Sequence, residues 1–203
     1  MGDKIIIEVY KTKNPDDFTK LLADPESRLD VGSAAASTAA SAAALMRRAA
    51  AITAAAKPEE ARVEYILRNS ETLRAYMIHL IDEDVKSRAP LLKALKEGDA
   101  RRIEAARQPA ACIASEIVNM MAQALELMEE LSSHAPGEAM PFIGEGAELA
   151  MAAVRSCMIY LLAMADKCSD DIYRFVTRRE NEITREACHA TYGRIMERVM
   201  PAV

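Results

Sequence analysis

Residues Ser33–Ala56 read SAAASTAASAAALMRRAAAITAAA, and this stretch constrains the fold more than any other. Alanine is the best helix former and gives up no side-chain freedom in a helix. Its small side chain also lets a neighbouring backbone come close. A helix with small residues on several faces belongs in the centre of a bundle or at a subunit contact. The wider composition agrees. The chain is 51% hydrophobic but only 4% aromatic, and its 38 alanines make up the difference. Enough residues can be buried to argue against disorder. A β sandwich or barrel would need more β-branched and aromatic residues and more frequent turns than seven Gly and eight Pro provide. The length of 203 residues suits one domain over 1–203, with a core that needs no disulfide.

Charge and cysteine usage narrow the function classes. The net charge is −5, and the longest basic clusters are pairs, Arg47-Arg48 and Arg178-Arg179. Nothing there attracts nucleic acid. Cys112, Cys157, Cys168 and Cys188 form no CxxC pair, and zinc needs three or four convergent ligands. Cys188 and His189 are adjacent, so they point about 100° apart on a helix. No metal site is expected. The opening MGDKIIIEVYKTK has too short an apolar run for a secretory signal, so reduced thiols and a cytoplasmic location are expected. The apolar windows Ser33–Ala56 and Leu149–Ala165 are interrupted by Arg47, Arg48 and Arg155, so no membrane span is expected.

The helix signals follow in order. Residues 4–9 read as a short strand or extended arm, within an N-terminal arm over 1–13. Asn14-Pro15-Asp16-Asp17 starts a helix that runs to Ala23. A loop over 24–32 follows, and Ser33 is expected to cap the Ala-rich helix over 34–55. Lys57-Pro58-Glu59-Glu60 starts the next helix, expected to end near Arg88 because Pro90 disrupts it, with a short helix over 91–96 beyond. A long helix over 100–132 contains Pro109, where a kink is expected. Residues 138–165 read as mostly helical, and Ser169-Asp170-Asp171 caps a last helix to about Met200. The expected fold is an all-α bundle of five to six long helices.

Four stretches, Asp17–Thr53, Leu80–Arg88, Ala105–Pro109 and Ser169–Tyr173, in this order resemble segments of the formimidoyltetrahydrofolate cyclodeaminase / methenyltetrahydrofolate cyclohydrolase family. Asp17–Thr53, DFTKLLADPESRLDVGSAAASTAASAAALMRRAAAIT, is similar to the family's opening. There a short helix leads to a Pro-Gly-Gly-Gly-Ser loop and an Ala-rich helix. Leu80–Arg88, LIDEDVKSR, is similar to its Leu-x-Asp-x-Asp-x-x-Ala-Phe segment. Ala105–Pro109 is similar to its Ala-x-x-x-Pro kink, and Ser169–Tyr173 to its Asp-Glu-Ala-Phe helix start. The chain also departs from the pattern. Leu29-Asp30-Val31-Gly32-Ser33 stands at the glycine loop, and Arg88 stands where the family has Phe. No Ser-Asp pair occurs near Phe142–Gly144, and YLLAM over 160–164 replaces a stretch whose asparagines the resemblance assigns to the folate pocket side. Asp30 and Val31 would crowd a ligand at the loop, and Asp30 would repel an anion. The scaffold is matched while much of the site is replaced, as in a divergent member.

The resemblance implies a cyclodeaminase-like bundle that forms a homodimer with its site near the subunit contact. It implies a lyase or cyclohydrolase acting on 5-formimidoyl- or 5,10-methenyltetrahydrofolate. No metal or redox cofactor is then needed, and a tetrahydrofolate derivative is the substrate. Such chemistry requires an acid–base group. Leu73, Met77, Leu80 and Asp84 step by four, three and four, so Asp84 continues an apolar stripe and is the candidate catalytic residue. A plain acidic residue near a helix end is the other reading of Asp84. Gly32 and Ser33 are candidate substrate-binding residues through the N–H groups of a helix N-terminus, or Ser33 is simply a cap. Asp82 lies about 200° around the helix from Asp84. It joins the binding set only if a second subunit covers that face. The three histidines share no spacing, and the methionines read as core fillers. Two further readings stay open: a paralogue that binds or converts another small molecule, and a non-catalytic helical subunit that works with a partner in a larger enzyme system.

Overall fold

The computed structural model describes residues 9–200, which form six α-helices and no strand. They are α1 (Pro15–Ala23), α2 (Val31–Ala56), α3 (Ala61–Glu97), α4 (Ala100–Ser132), α5 (Met140–Ala165) and α6 (Asp171–Val199), with a 3₁₀ turn at Gly137–Ala139 before α5. The expected arm falls largely outside the described residues; of the stretch 4–9 only Val9 is described, and it is irregular and exposed.

The alanine-rich helix is the axis of the bundle. Helix α2 packs most extensively on α3 and α5, and α4 closes on the same group. Ala36, Ala39, Ala42, Ala43, Ala49 and Ala50 are fully buried, so backbones approach where larger side chains would hold them apart. Met46, Met77, Met121, Met128 and Met151 fill the gaps that alanine leaves, as an unbranched side chain can. Local signals fix most helix ends. The Asn14 side chain accepts from the Asp17 N–H, Asp99 accepts from the Arg102 N–H, and Asp170 accepts from the Ile172 and Tyr173 N–H groups. Gly98 ends α3 in the left-handed region, at φ 68°.

Two expectations are corrected. First, Ser33 is not the cap of α2. Asp30 is, with its carboxylate accepting from the Val31 N–H at 2.8 Å, so the helix starts earlier and Ser33 lies inside its first turn. Aspartate caps as well as serine does, and the earlier candidate wins. Second, Pro90 does not end α3, and no separate helix begins at 91. The helix runs through Pro90 to Glu97, because Leu91 and Ala94 extend its buried face. One missing backbone donor is outweighed by continued burial. The run Gly137–Ala165 is long and apolar enough to cross a membrane by length and composition. In the bundle it is a core helix, with Ile143, Ala147, Ala150, Met151, Val154 and Cys157 fully buried against α2 and α4.

Candidate active site

The first turn of α2 meets the middle of α3. Asp84 is 1% exposed, as its place on the apolar stripe predicts. The Ser33 hydroxyl donates to Asp84 Oδ2 at 2.7 Å and also lies 3.3 Å from the Ile81 carbonyl. Gly32 makes this approach possible. A Cβ on Gly32 would stand 2.0 Å from Asp84 Oδ1, so only glycine fits against the carboxyl. Oδ1 itself is buried and has no hydrogen-bond partner. Burial pushes the Asp84 carboxyl above the usual carboxylate range. The Ser33 hydroxyl and the Arg88 guanidinium oppose that shift, and Asp30 adds to it. The group is thus held nearer its neutral, proton-carrying form than an exposed aspartate would be.

One turn further along α3, Arg88 extends the cluster. Its Nη2 lies 2.5 Å from Asp30 Oδ2, its Nη1 lies 3.8 Å from Asp84 Oδ2, and the same Nη1 donates to the Arg28 carbonyl at 3.2 Å. Helix α5 supplies the third wall. The Tyr160 phenol is pushed up to about 12, chiefly by burial, with Arg88 opposing and Asp84 and Asp30 adding. Its hydroxyl lies 3.5 Å from the Ala110 carbonyl of α4. Cys157, one turn earlier, is also pushed up to about 12, by burial and by the Asp84 charge. Both groups hold their protons at neutral pH, so neither is a ready nucleophile.

Three of the four sequence candidates converge here: Gly32, Ser33 and Asp84. Asp82 is on the other side of α3. Its Oδ1 accepts from the Tyr10 N–H at 2.7 Å and the Lys11 N–H at 3.2 Å, with Lys11 Nζ 3.8 Å from Oδ2. It ties down the segment that leads into α1. Arg88, Asp30 and Tyr160 figure in the sequence reading only as departures from a pattern. The four-residue spacing of Asp84 and Arg88 is the signal that marks Arg88, since such pairs meet on a helix face. The histidines lie elsewhere: His79 sits 3.5 Å from Glu83 and His134 3.1 Å from Glu60, both on part-exposed side chains. Two clefts lie elsewhere on these helices, and none of the cluster residues lines either. One of about 810 Å³ runs between α4 and α6 and includes Cys112, Glu116 and Asn119. One of about 380 Å³ lies between the Pro25–Arg28 loop and Val85, Ala89 and Leu92 of α3.

Comparison with known proteins gives this geometry a context. Residues 15–183, most of the chain, match the model of the formiminotransferase-cyclodeaminase family. The chain belongs to that family. No curated protein matches it by sequence. Among solved structures, a formiminotetrahydrofolate cyclodeaminase from Thermotoga maritima superposes with a TM-score of 0.86. The match covers 93% of this chain and 96% of that one at 19% identity, so it establishes a shared cyclodeaminase fold. The family match includes α2 and α3 whole, and with them Gly32, Ser33 and Asp84.

Proposed function

We propose that the protein is a divergent cyclodeaminase that works on a one-carbon derivative of tetrahydrofolate, with Asp84 as its proton donor. The observation that carries this reading is a buried carboxyl, held toward its neutral form, set against the first turn of a helix. In the reaction, N10 of 5-formimidoyltetrahydrofolate adds to the formimidoyl carbon. The bond from that carbon to its terminal nitrogen then breaks. The leaving nitrogen takes up the N10 proton and one more, and departs as ammonia, leaving the 5,10-methenyl cation. Asp84 supplies the additional proton and recovers it from solvent. The Ser33 hydroxyl fixes the carboxyl and stabilises it once ionised. Water addition to the 5,10-methenyl carbon is the related cyclohydrolase activity that the same group would serve.

Titration with 5-formyltetrahydrofolate, followed by thermal stability, tests the reading. A shift at micromolar ligand is expected, and none at millimolar ligand overturns it. Asp84→Asn is expected to abolish turnover while binding survives; unchanged turnover removes Asp84 from the mechanism. A second reading, a protein that binds another small molecule, is favoured by Asp30 at the position of the glycine loop and Arg88 paired with it. It predicts that folates fail in the same titration. We also propose a homodimer. Ile172, Phe175, Val176 and Ile183 lie on one outward face of α6 and are exposed, whereas its inward face carries Thr177 and Asn181. A helix with its apolar side outward lacks a partner in the monomer. Light scattering on the wild type and Phe175→Glu checks this; a wild-type monomer refutes it.

A further inference from the structure

We propose that the cleft between α4 and α6 is a second ligand site, one that takes a small organic cation of the aliphatic amine class. Its volume of about 810 Å³ is within the range of small-molecule sites.

The first half of α6 explains why the cleft exists. Along this stretch Ile172, Phe175, Val176 and Ile183 are exposed, while Thr177 and Asn181 on the inward face are 7% and 8% exposed. A helix that turns polar side chains inward does not close tightly on apolar neighbours, because a buried polar group needs a partner that an apolar wall does not give. Asn181 is only half provided for. Its Nδ2 donates to the Thr177 carbonyl at 2.8 Å, and its Oδ1 takes no hydrogen bond among the described residues. That oxygen is not sealed in the core, as Asp84 Oδ1 is. Asn181 lines the cleft, and its free acceptor is open to a donor that enters there.

The charge of the wall selects the donor. It holds two carboxylates, Glu116 from α4 and Glu180 from α6, and no lysine or arginine. Neither carboxylate has an ion pair among the described residues. Glu116 accepts from the Tyr76 phenol, which holds it in place without neutralising it. The other polar groups of the wall are uncharged hydroxyls, carboxamides and the Cys112 thiol. A concave wall with charge of one sign raises the local concentration of cations. No group of three or more His, Cys, Asp or Glu that could hold a metal ion occurs among the described residues, so the site suits an organic cation. Val118, Leu161 and Ile183 offer contact to its aliphatic part. Asn181 also lines a smaller cleft of about 460 Å³, but that one carries Arg178, Arg179 and Arg185 against a single acid, Glu182. An amine is therefore drawn to the α4 side. Ile183 is shared with the face of α6 assigned above to the dimer contact, so the site lies at the edge of that face.

Calorimetry with putrescine at low ionic strength tests the proposal, with its uncharged diol analogue and magnesium chloride as controls. Saturable binding of putrescine is expected, with shifts in the side-chain amide resonances of Asn119 and Asn181. Glu116→Gln and Glu180→Gln should each weaken binding about tenfold, the loss of one charge-assisted hydrogen bond. Glu138→Gln, an exposed acid outside the cleft, should leave it unchanged. Glu180 is exposed, so its variant reads the site even if Glu116→Gln does not fold. The proposal is overturned if putrescine does not saturate, or if both glutamine variants bind it as the wild type does. It is also overturned if the diol or magnesium moves the Asn119 and Asn181 resonances as far, since the cleft would then be a hydrated acidic surface only. No folate enters the experiment, so failure here leaves the folate titration untouched, and failure there leaves this result standing.

Discussion

Gly32→Ala is the sharpest test of the contact on which the site depends. In the first turn of an exposed helix, glycine to alanine is stabilising by up to about 1 kcal/mol. Here the new Cβ would stand 2.0 Å from Asp84 Oδ1 and 2.6 Å from its Cγ. An ordinary contact begins near 3.4 Å, so the carboxyl must retreat by about 1.4 Å. The carboxyl is not a loose end: Ser33 holds Oδ2 at 2.7 Å, and the side chain is buried on all sides. Overpacking at such a site costs about 1–3 kcal/mol. Breaking the Ser33 hydrogen bond adds about 1–3 kcal/mol if the carboxyl is left unpaired. The helix-propensity gain does not offset both, so a net loss of about 2 kcal/mol or more is expected. For a chain of this size that lowers the melting temperature by about 4–8 °C. Urea denaturation and calorimetry measure it. A double-mutant cycle identifies its source, because in an Asp84→Ala background Gly32→Ala should be neutral or mildly stabilising, with a coupling of about 1.5 kcal/mol or more. If Gly32→Ala is as stable as the wild type, or loses the same amount when Asp84 is absent, the close packing described here is wrong.

Three further outcomes are expected. The folded-state pKa of Asp84 is raised above its unfolded value, so its contribution to stability is present at acid pH and lost as pH rises through the folded value. The stability of the wild type minus that of Asp84→Asn should therefore be more favourable at pH 4 than at pH 8; Glu71, Glu129 and Glu130, lowered by arginine partners, act in the opposite sense in both proteins and cancel. A flat or reversed difference refutes the assignment. Asp82→Ala removes the acceptor for the Tyr10 and Lys11 amides, so tryptic cleavage at Lys11 or Lys13 should accelerate several-fold, and an unchanged cleavage rate counts against the tether. Of the four free cysteines only Cys112 is exposed, so a thiol reagent should label one group rapidly in the native protein and lose that reaction in Cys112→Ser.

What the sequence makes legible is what local patterning encodes. The burial of Asp84 follows from its place after Leu73, Met77 and Leu80. The central position of α2 follows from its alanines, and the starts of α1 and α6 from Asn14 and Asp170. Where two local signals compete, patterning alone does not decide between them. Asp30 and Ser33 are both good caps three residues apart, and the winner also frees Ser33 to reach Asp84. Pro90 is a breaker by propensity, yet Leu91 and Ala94 carry the buried face past it. Contacts between distant segments are the least legible. Asp82 meets Tyr10 across 72 positions and Arg88 meets the Arg28 carbonyl across 60, and neither element announces the other.

The departures from the family pattern show why a site is not the sum of its motifs. Taken singly, Asp30 is an obstruction at a glycine loop and Arg88 is a lost aromatic. In three dimensions they are one ion pair at 2.5 Å, with Asp84 3.8 Å beyond it. Asp30 without Arg88 would set an unpaired carboxylate beside a second, buried acid, raising the cost of ionising either. Arg88 without Asp30 would leave a guanidinium nearly out of water with only a reluctant partner. Each change is destabilising alone and tolerated in the company of the other. The two therefore form a single unit, a charged pair set beside the Gly32–Ser33–Asp84 contact. Any account of this chain's ligand must explain both halves together: a buried carboxyl held toward its neutral form, and beside it an arginine whose anion the protein supplies itself.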